Sequence, residues 1–364
     1  MCSVQILFAA VLVFCVNMFA NCQLVLPGVD DYVVRRKRSM REDVENARQL
    51  LQGFFKLSAN LPLTPKRRTN FENQQPLQYH YIDQTEYAAN KRILKDLFET
   101  DLVLTVPQIK RVIQEFQTDY KKTPGRREKR KAIIGNTYRW PNQTVYYFLK
   151  EKDDEWRRLV KEGMRKWEVE TCIKFREWTN EKDHIYIFKG AGCYSSVGRI
   201  GGRQYASIGY GCESGGIVAH ELGHALGFWH EQNRPDRDWY ININEDFIQS
   251  GTRGNFARRN DIDQLKTPYD FGSVMHYGPQ AFTSDYKYVT IETKDHRFQH
   301  TIGQRKELSF IDIKEANMMY CSDRCKQKLN CLHGGYEDPQ NCAFCKCPPG
   351  TSGTLCDKIP MSTR

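Results

Sequence analysis

The chemistry of this 364-residue chain is concentrated in eleven residues, His220-Glu221-Leu222-Gly223-His224-Ala225-Leu226-Gly227-Phe228-Trp229-His230. On a helix, residues four apart share a face, so His220 and His224 can aim at one metal ion. Glu221 projects beside that ion rather than onto it, placed to take a proton from water at the metal. Gly227 adopts backbone angles that other residues resist, ending the helix and turning the chain so that His230 returns as a third ligand. Three protein ligands leave one coordination position open, which is what a catalytic zinc needs and a structural zinc does not. An isolated H-E-x-x-H can arise by chance on a polar helix face. The full H-E-x-x-H-x-x-G-x-x-H leaves little room for accident.

The elements that must hold these residues begin at residue 131. Val145-Tyr146-Tyr147-Phe148-Leu149 reads as a strand. Trp156, Leu159, Val160, Met164 and Trp167 recur at helical spacing and predict a core-facing helix. Further strands fit Cys172 to Trp178, His184 to Phe188 and Tyr194 to Val197, and Gly215-Gly216 opens a helix running through His224. Asn142-Gln143-Thr144 is an N-glycosylation sequon placed just before a strand, so Asn142 is a glycosylation candidate.

Upstream, residues 1–16 are apolar except for Ser3 and Gln5, short for a membrane span, and followed by polar Asn21 and Gln23. They read as a secretory signal peptide over 1–22, cut between Ala20 and Gln23. No later stretch is long and apolar enough for a membrane span, so the product is expected to be secreted and extracellular. Of 13 cysteines, ten lie between Cys172 and Cys356, and an even number in an oxidising compartment argues for five disulfides. Residues 23–130 are polar, with apolar residues at helical spacing in two runs: Ile93, Leu94, Leu97 and Phe98, then Ile109, Val112, Ile113 and Phe116. That is thin material for a core of its own and reads as a pro-segment packing on something else.

The net charge of +10 sits mostly in this N-terminal third, where residues 1–130 carry 21 Lys+Arg against 14 Asp+Glu. Its basic runs suit processing proteases better than nucleic acid. Arg127-Glu128-Lys129-Arg130 has the pattern that furin-like proteases cut after the last residue. At the other end, residues 325–356 hold six cysteines in 32 residues, a unit too small to bury a core and therefore stapled.

The stretch from His220 to His230 resembles the metzincins, and its continuation through Glu231, Arg234, Asp236, Arg237 and Asp238 resembles the astacin family. Ser273-Val274-Met275-His276-Tyr277 is similar to the family's Met-turn. The resemblance covers residues 131–321 and implies an α+β, two-part astacin-like catalytic domain with a twisted sheet and an active-site helix. It further implies Met275 as a hydrophobic base beneath the metal, Tyr277 as a resting zinc ligand that swings to the oxyanion, and disulfides Cys172–Cys321 and Cys193–Cys212. Tyr194 to Gly198 is implied as the edge strand that pairs with a peptide substrate. One Zn²⁺ would then polarise the scissile carbonyl, with Glu221 as general base and then acid.

Residues 322–364 resemble a disulfide-rich EGF-like module, which implies Cys325–Cys342, Cys331–Cys345 and Cys347–Cys356. The start Lys131-Ala132-Ile133-Ile134-Gly135 resembles the mature family N-terminus, implying contact between the Lys131 ammonium and Glu231. Phe98-Glu99-Thr100-Asp101 resembles the family's F-x-G-D switch, implying Asp101 as the zinc ligand of a silent precursor; Thr100 stands where the family has glycine. The function implied is a secreted endopeptidase acting on extracellular proteins, against the alternative of a catalytically silent peptide-binding or matrix protein.

Overall fold

A computed structural model describes residues 38–59, 83–121, 132–133, 135–259, 262–263 and 265–360. The apolar run over 1–22, the basic runs at 35–37 and 66–68, Arg130 and Lys131 lie outside them. The chain opens with helix α1 (Arg38–Ala59), a short α2 (Glu86–Asn90) and α3 (Val106–Lys121). Then follow β1 (Ala132–Ile133), β2 (Thr144–Leu149), α4 (Asp154–Glu168), β3 (Lys174–Glu177), β4 (His184–Phe188), β5 (Cys193–Ser195) and β6 (Arg203–Ile208). Helix α5 (Gly215–Leu226) comes next, then short strands β7 (Ile241–Ile243), β8 (Ile262–Asp263) and β9 (Ile291–Thr293), and α6 (Phe310–Tyr320).

Five strands form one sheet in the order β3-β2-β4-β6-β5, with β5 the antiparallel strand at one edge. Central β4 is buried at four of its five positions, whereas β2 alternates, with Val145, Tyr147 and Leu149 buried and Phe148 exposed. Asp153 caps α4 by accepting from the amides of Glu155 and Trp156. Its stripe of Trp156, Val160, Met164 and Trp167 then joins the core beneath the sheet and against α5. The two helices meet closely: a Cβ added at Gly163 would lie 2.4 Å from Val218. The Trp167 indole donates to the Ala219 carbonyl across the same contact, at 2.9 Å.

Cys172–Cys321 ties the start of β3 to the end of α6, and Cys193–Cys212 staples the edge strand to the approach to α5. The last disulfides are Cys325–Cys342, Cys331–Cys345 and Cys347–Cys356. Gln340 from this C-terminal unit donates to the carbonyls of Glu168, Val169 and Thr171, where α4 ends. No helix among the described residues is long and apolar enough to cross a membrane.

The structure departs from the sequence reading in four places. The run Ile93, Leu94, Leu97 and Phe98 forms no α-helix; it makes one 3₁₀ turn at Leu94–Asp96, and Phe98 bridges Leu102 across a tight loop. Its apolar residues are buried because they pack on distant parts of the chain, not because they line a helix. The strand predicted from Cys172 to Trp178 is shorter, and that from Tyr194 to Val197 shifts to Cys193–Ser195. Several elements were not read from the sequence at all, among them the helices α1 and α6 and strand β6. In α1, Leu51 and Phe54 join Phe98, Leu102, Leu104, Ile109 and Val112 in a cluster with Ile133, Val197 and Trp229. The N-terminal helices are therefore packed onto the sheet-and-helix unit.

Candidate active site

Every residue of helix α5 is buried, the polar His220, Glu221 and His224 included. Ser214 caps its first turn, and Gly227 ends it in the left-handed region at φ 111°, its amide bonded to the carbonyls of Gly223 and His224. Beyond that turn the chain runs extended into His230. The three histidines converge, each fully buried.

Their outer nitrogens have partners. His220 Nδ1 meets the Val274 carbonyl at 2.8 Å and His224 Nδ1 the Phe228 carbonyl at 2.8 Å. His230 Nδ1 lies 2.9 Å from the Glu99 carboxylate. Asp312 fixes the Val274 segment, accepting from the Ser273 hydroxyl at 2.6 Å and the Val274 amide at 2.8 Å. Met275 packs below, its sulfur 2.8 Å from where a Cβ on Gly223 would stand.

Each outer Nδ1–H that donates to a carbonyl leaves Nε2 as a lone pair. Yet His220 Nε2 and His224 Nε2 face each other at 3.1 Å, and Asp101 inserts its carboxylate between all three rings. Asp101 lies 3.0 Å from His220 Nε2, 3.2 Å from His230 Nε2 and 3.4 Å from His224 Nε2. Lone pairs and a carboxylate gathered so closely repel unless a cation lies among them. The edges of a tetrahedron of nitrogen and oxygen ligands around Zn²⁺ are about 3.3 Å, so the spacing fits that ion. Asp101, His220, His224 and His230 are also the one group of four potential metal ligands among the described residues, all buried. Burial lowers His224 to about 4, keeping its ring neutral. On His230 burial is outweighed by Asp101 and Glu99, which raise it to about 9. The cluster draws in positive charge, whether as a metal or as a proton.

Glu221 is fully buried beside this cluster, and neither of its carboxylate oxygens has a hydrogen-bond partner among the described residues. Burial, then the charges of Asp101 and Glu86, push it well above the usual carboxylate range. The Tyr277 ring sits 4.6 Å from that of His230. Burial, then Glu99 and Asp101, push its phenol well above the usual tyrosine range. Glu231 accepts from Arg234 and the Asp270 amide, in a buried group well removed from solvent.

The N-terminal segment covers all of this. Leu102 pairs in parallel with Ser195 of β5: the Ser195 amide donates to the Asp101 carbonyl and the Val103 amide to the Ser195 carbonyl, both at 2.9 Å. The Asn90 side chain bonds both main-chain groups of Cys193, accepting at 2.8 Å and donating at 2.5 Å. Glu86 makes two hydrogen bonds of 2.7 Å to the Arg305 guanidinium. Glu86, Asn90, Glu99 and Arg305 were not singled out in the sequence. No local spacing marks them, because Glu86 and Arg305, Asn90 and Cys193, and Glu99 and His230 each lie more than a hundred residues apart.

The sequence pattern of the Astacin peptidase family matches residues 132–321. The chain belongs to the astacin family. It is similar to zinc metalloproteinase nas-30 of Caenorhabditis elegans, 48% identical over 90% of this chain and 44% of that protein. Zinc metalloproteinase nas-37 of the same organism is 46% identical over 77% of this chain and 36% of its own length. This astacin thus spans less than half the length of those two relatives. A solved structure of high choriolytic enzyme 1, a hatching enzyme zinc-protease from Oryzias latipes, is 40% identical, with a TM-score of 0.47, over 50% of this chain and 92% of that one. An astacin domain is a zinc metallopeptidase domain with an α+β fold and one zinc, and the buried N₃O cluster offers a place for that ion.

Proposed function

We propose that the chain is the latent precursor of a secreted zinc endopeptidase acting on extracellular proteins. In this reading residues 1–22 are a signal peptide, 23–130 a pro-segment, 131–321 the protease domain and 322–364 an EGF-like module. A furin-like protease cuts after Arg130, and Asn142, exposed beside β2, carries a glycan. His220, His224 and His230 hold the metal, and Asp101 occupies the position that substrate and water need. The observation that carries this is the cluster of facing lone pairs with a partnerless, buried Glu221 beside it.

Zinc, when bound, polarises the scissile carbonyl and lowers the pKa of water. The residues do the rest. Once the pro-segment leaves, β5 regains its open edge, and an extended peptide pairs with the main chain of Cys193 and Ser195. Glu221 takes a proton from water and delivers it to the leaving amine nitrogen. Departure of Asp101 and Glu86 removes two charges that add to burial in raising Glu221, and a metal's charge would favour the ionised form further. Tyr277 donates from its phenol to the carbonyl oxygen as negative charge builds. Lys131, as the new N-terminus, sits near Glu231. Arg305, matched in the precursor by Glu86, supports a preference for an acidic side chain beside the scissile bond.

The deciding assay is cleavage of a denatured protein by material processed at Arg130. Activity lost to chelator and restored by zinc is the expected result. Processed, zinc-loaded protein that binds peptides without cutting them favours the silent-module reading instead.

A further inference from the structure

Two of the three histidines are braced by main-chain carbonyls of the protease domain itself, Val274 and Phe228. The third, His230, is braced by a side chain from the N-terminal segment, the carboxylate of Glu99 at 2.9 Å. Glu99 is fully buried and tightly held. Its backbone turns through φ 47°, and its amide donates to Asn255 Oδ1 at 2.9 Å. Its second oxygen, Oε1, is buried with no hydrogen-bond partner among the described residues. A carboxylate so placed needs positive charge nearby.

The local charges show where that need is met. Glu86 is balanced by Arg305 through two hydrogen bonds. Asp101 and Glu99 then bring two carboxylates to the three imidazoles, which are neutral when they ligate a metal. A divalent cation at the centre of the cluster neutralises both.

We infer that Glu99 is an outer-sphere zinc residue present only before the chain is cut, so that the pro-segment strengthens the hold on the metal while blocking it. This rests on the proposed zinc ligands and on removal of the segment after Arg130. A carboxylate on the outer nitrogen of a metal-binding histidine fixes its tautomer and orientation and raises its basicity. When the segment leaves, His230 loses that partner as the metal loses Asp101. The precursor is thus the form built to acquire zinc, and the mature protease holds it more weakly.

The test uses the full-length precursor made uncuttable by Arg130→Ala, with zinc affinity measured by competition against a chromophoric chelator. Glu99→Ala should lower affinity by about 10–100-fold, the usual effect of losing such a partner. Glu99→Gln, which keeps an acceptor oxygen without the charge, should fall between. A purely structural role would lower the melting temperature of metal-free and zinc-loaded protein alike. The role inferred lowers the zinc-loaded value further than the metal-free one, so the rise that zinc produces shrinks. Cuttable versions supply an internal control: both mature chains begin at Lys131, are identical in sequence, and should bind zinc equally, below the wild-type precursor. An affinity of Glu99→Ala within about threefold of wild type, with zinc still bound, overturns the inference. A wild-type precursor that binds no zinc overturns the ligand assignment itself.

Discussion

Glu86 and Arg305 stand 219 residues apart in the chain and meet through two hydrogen bonds of 2.7 Å, both side chains almost wholly buried. Arg305 also donates to the His276 carbonyl at 3.0 Å, next to Tyr277. Burial disfavours the Arg305 charge, yet Glu86 more than offsets this and raises it above the usual arginine value. Arginine and carboxylate thus form a lock on the segment that does not involve the metal.

Glu86→Gln should loosen that lock in the uncut precursor. Breaking one side of a buried ion pair costs about 3–5 kcal/mol, because the remaining charge stays buried. Hydrogen exchange should rise through residues 83–104 while the sheet core stays protected. Unchanged exchange would show that the pair holds nothing in place.

Arg305 makes a second prediction, this time for the mature protease. Peptides with an acidic residue beside the scissile bond should be cut faster than their amide counterparts. A hydrogen bond to a charged group contributes about 1.5–3 kcal/mol, or roughly 10–100-fold in kcat/KM. Arg305→Ala should erase the difference between paired peptides; a ratio that survives the substitution places the preference elsewhere.

Glu221→Gln should bind zinc as the parent does and lose nearly all turnover. The amide keeps the shape of the carboxylate and cannot accept the proton, a loss of about 10²–10⁴-fold or more. Metal content and turnover, measured on the same preparation, separate this from damage to the site. Near-parental turnover would end the mechanism.

Asp101→Ala in a precursor uncuttable at Arg130 should open the metal to water. Chelator exchange quickens and residual activity rises, while α1 and α3 remain docked through Phe54 and its neighbours. If exchange and activity both match the parent, another group provides the block.

Thr100 adopts φ 75°, a left-handed conformation that branched side chains resist. Strain of this kind costs about 1–3 kcal/mol, and glycine is free of it. Thr100→Gly should therefore tighten the plug, slowing chelator exchange in the precursor by roughly fivefold or more for each kcal/mol relieved. Faster exchange would mean that the Thr100 side chain contributes contacts worth more than the strain.

The site was legible in the sequence wherever its geometry is local. His220, Glu221 and His224 are fixed by helical spacing, and Gly227 by the turn it permits at φ 111°. What lay beyond local spacing was lost. Glu86, Asn90 and Glu99 act on partners more than a hundred residues away. Strand β6 gave no alternation to read, since Gln204 and Ser207 are buried and satisfied by the carbonyls of Gly198 and Gly192. Helix α1 was hidden because Phe54 and Leu51 pack on residues outside it: the Phe54 ring lies 5.8 Å from that of Phe98 and against Gly254.

The amide of Gln340 has a consequence for redox tolerance. The last carbonyls of a helix need donors, and one amide reaches that of Glu168, which ends α4, and those of Val169 and Thr171 just beyond it. Its loop lies between Cys325–Cys342 and Cys331–Cys345, in a unit with little core beyond its sulfurs. Tyr336 of the same unit bonds Asn317 on α6, and Lys346 pairs with Glu170. A reductant that opened those bridges would withdraw the donor from α4, whose far face packs on the helix carrying His220 and His224. Thiol sensitivity would then begin in the C-terminal unit, some way from the three histidines it would eventually disturb.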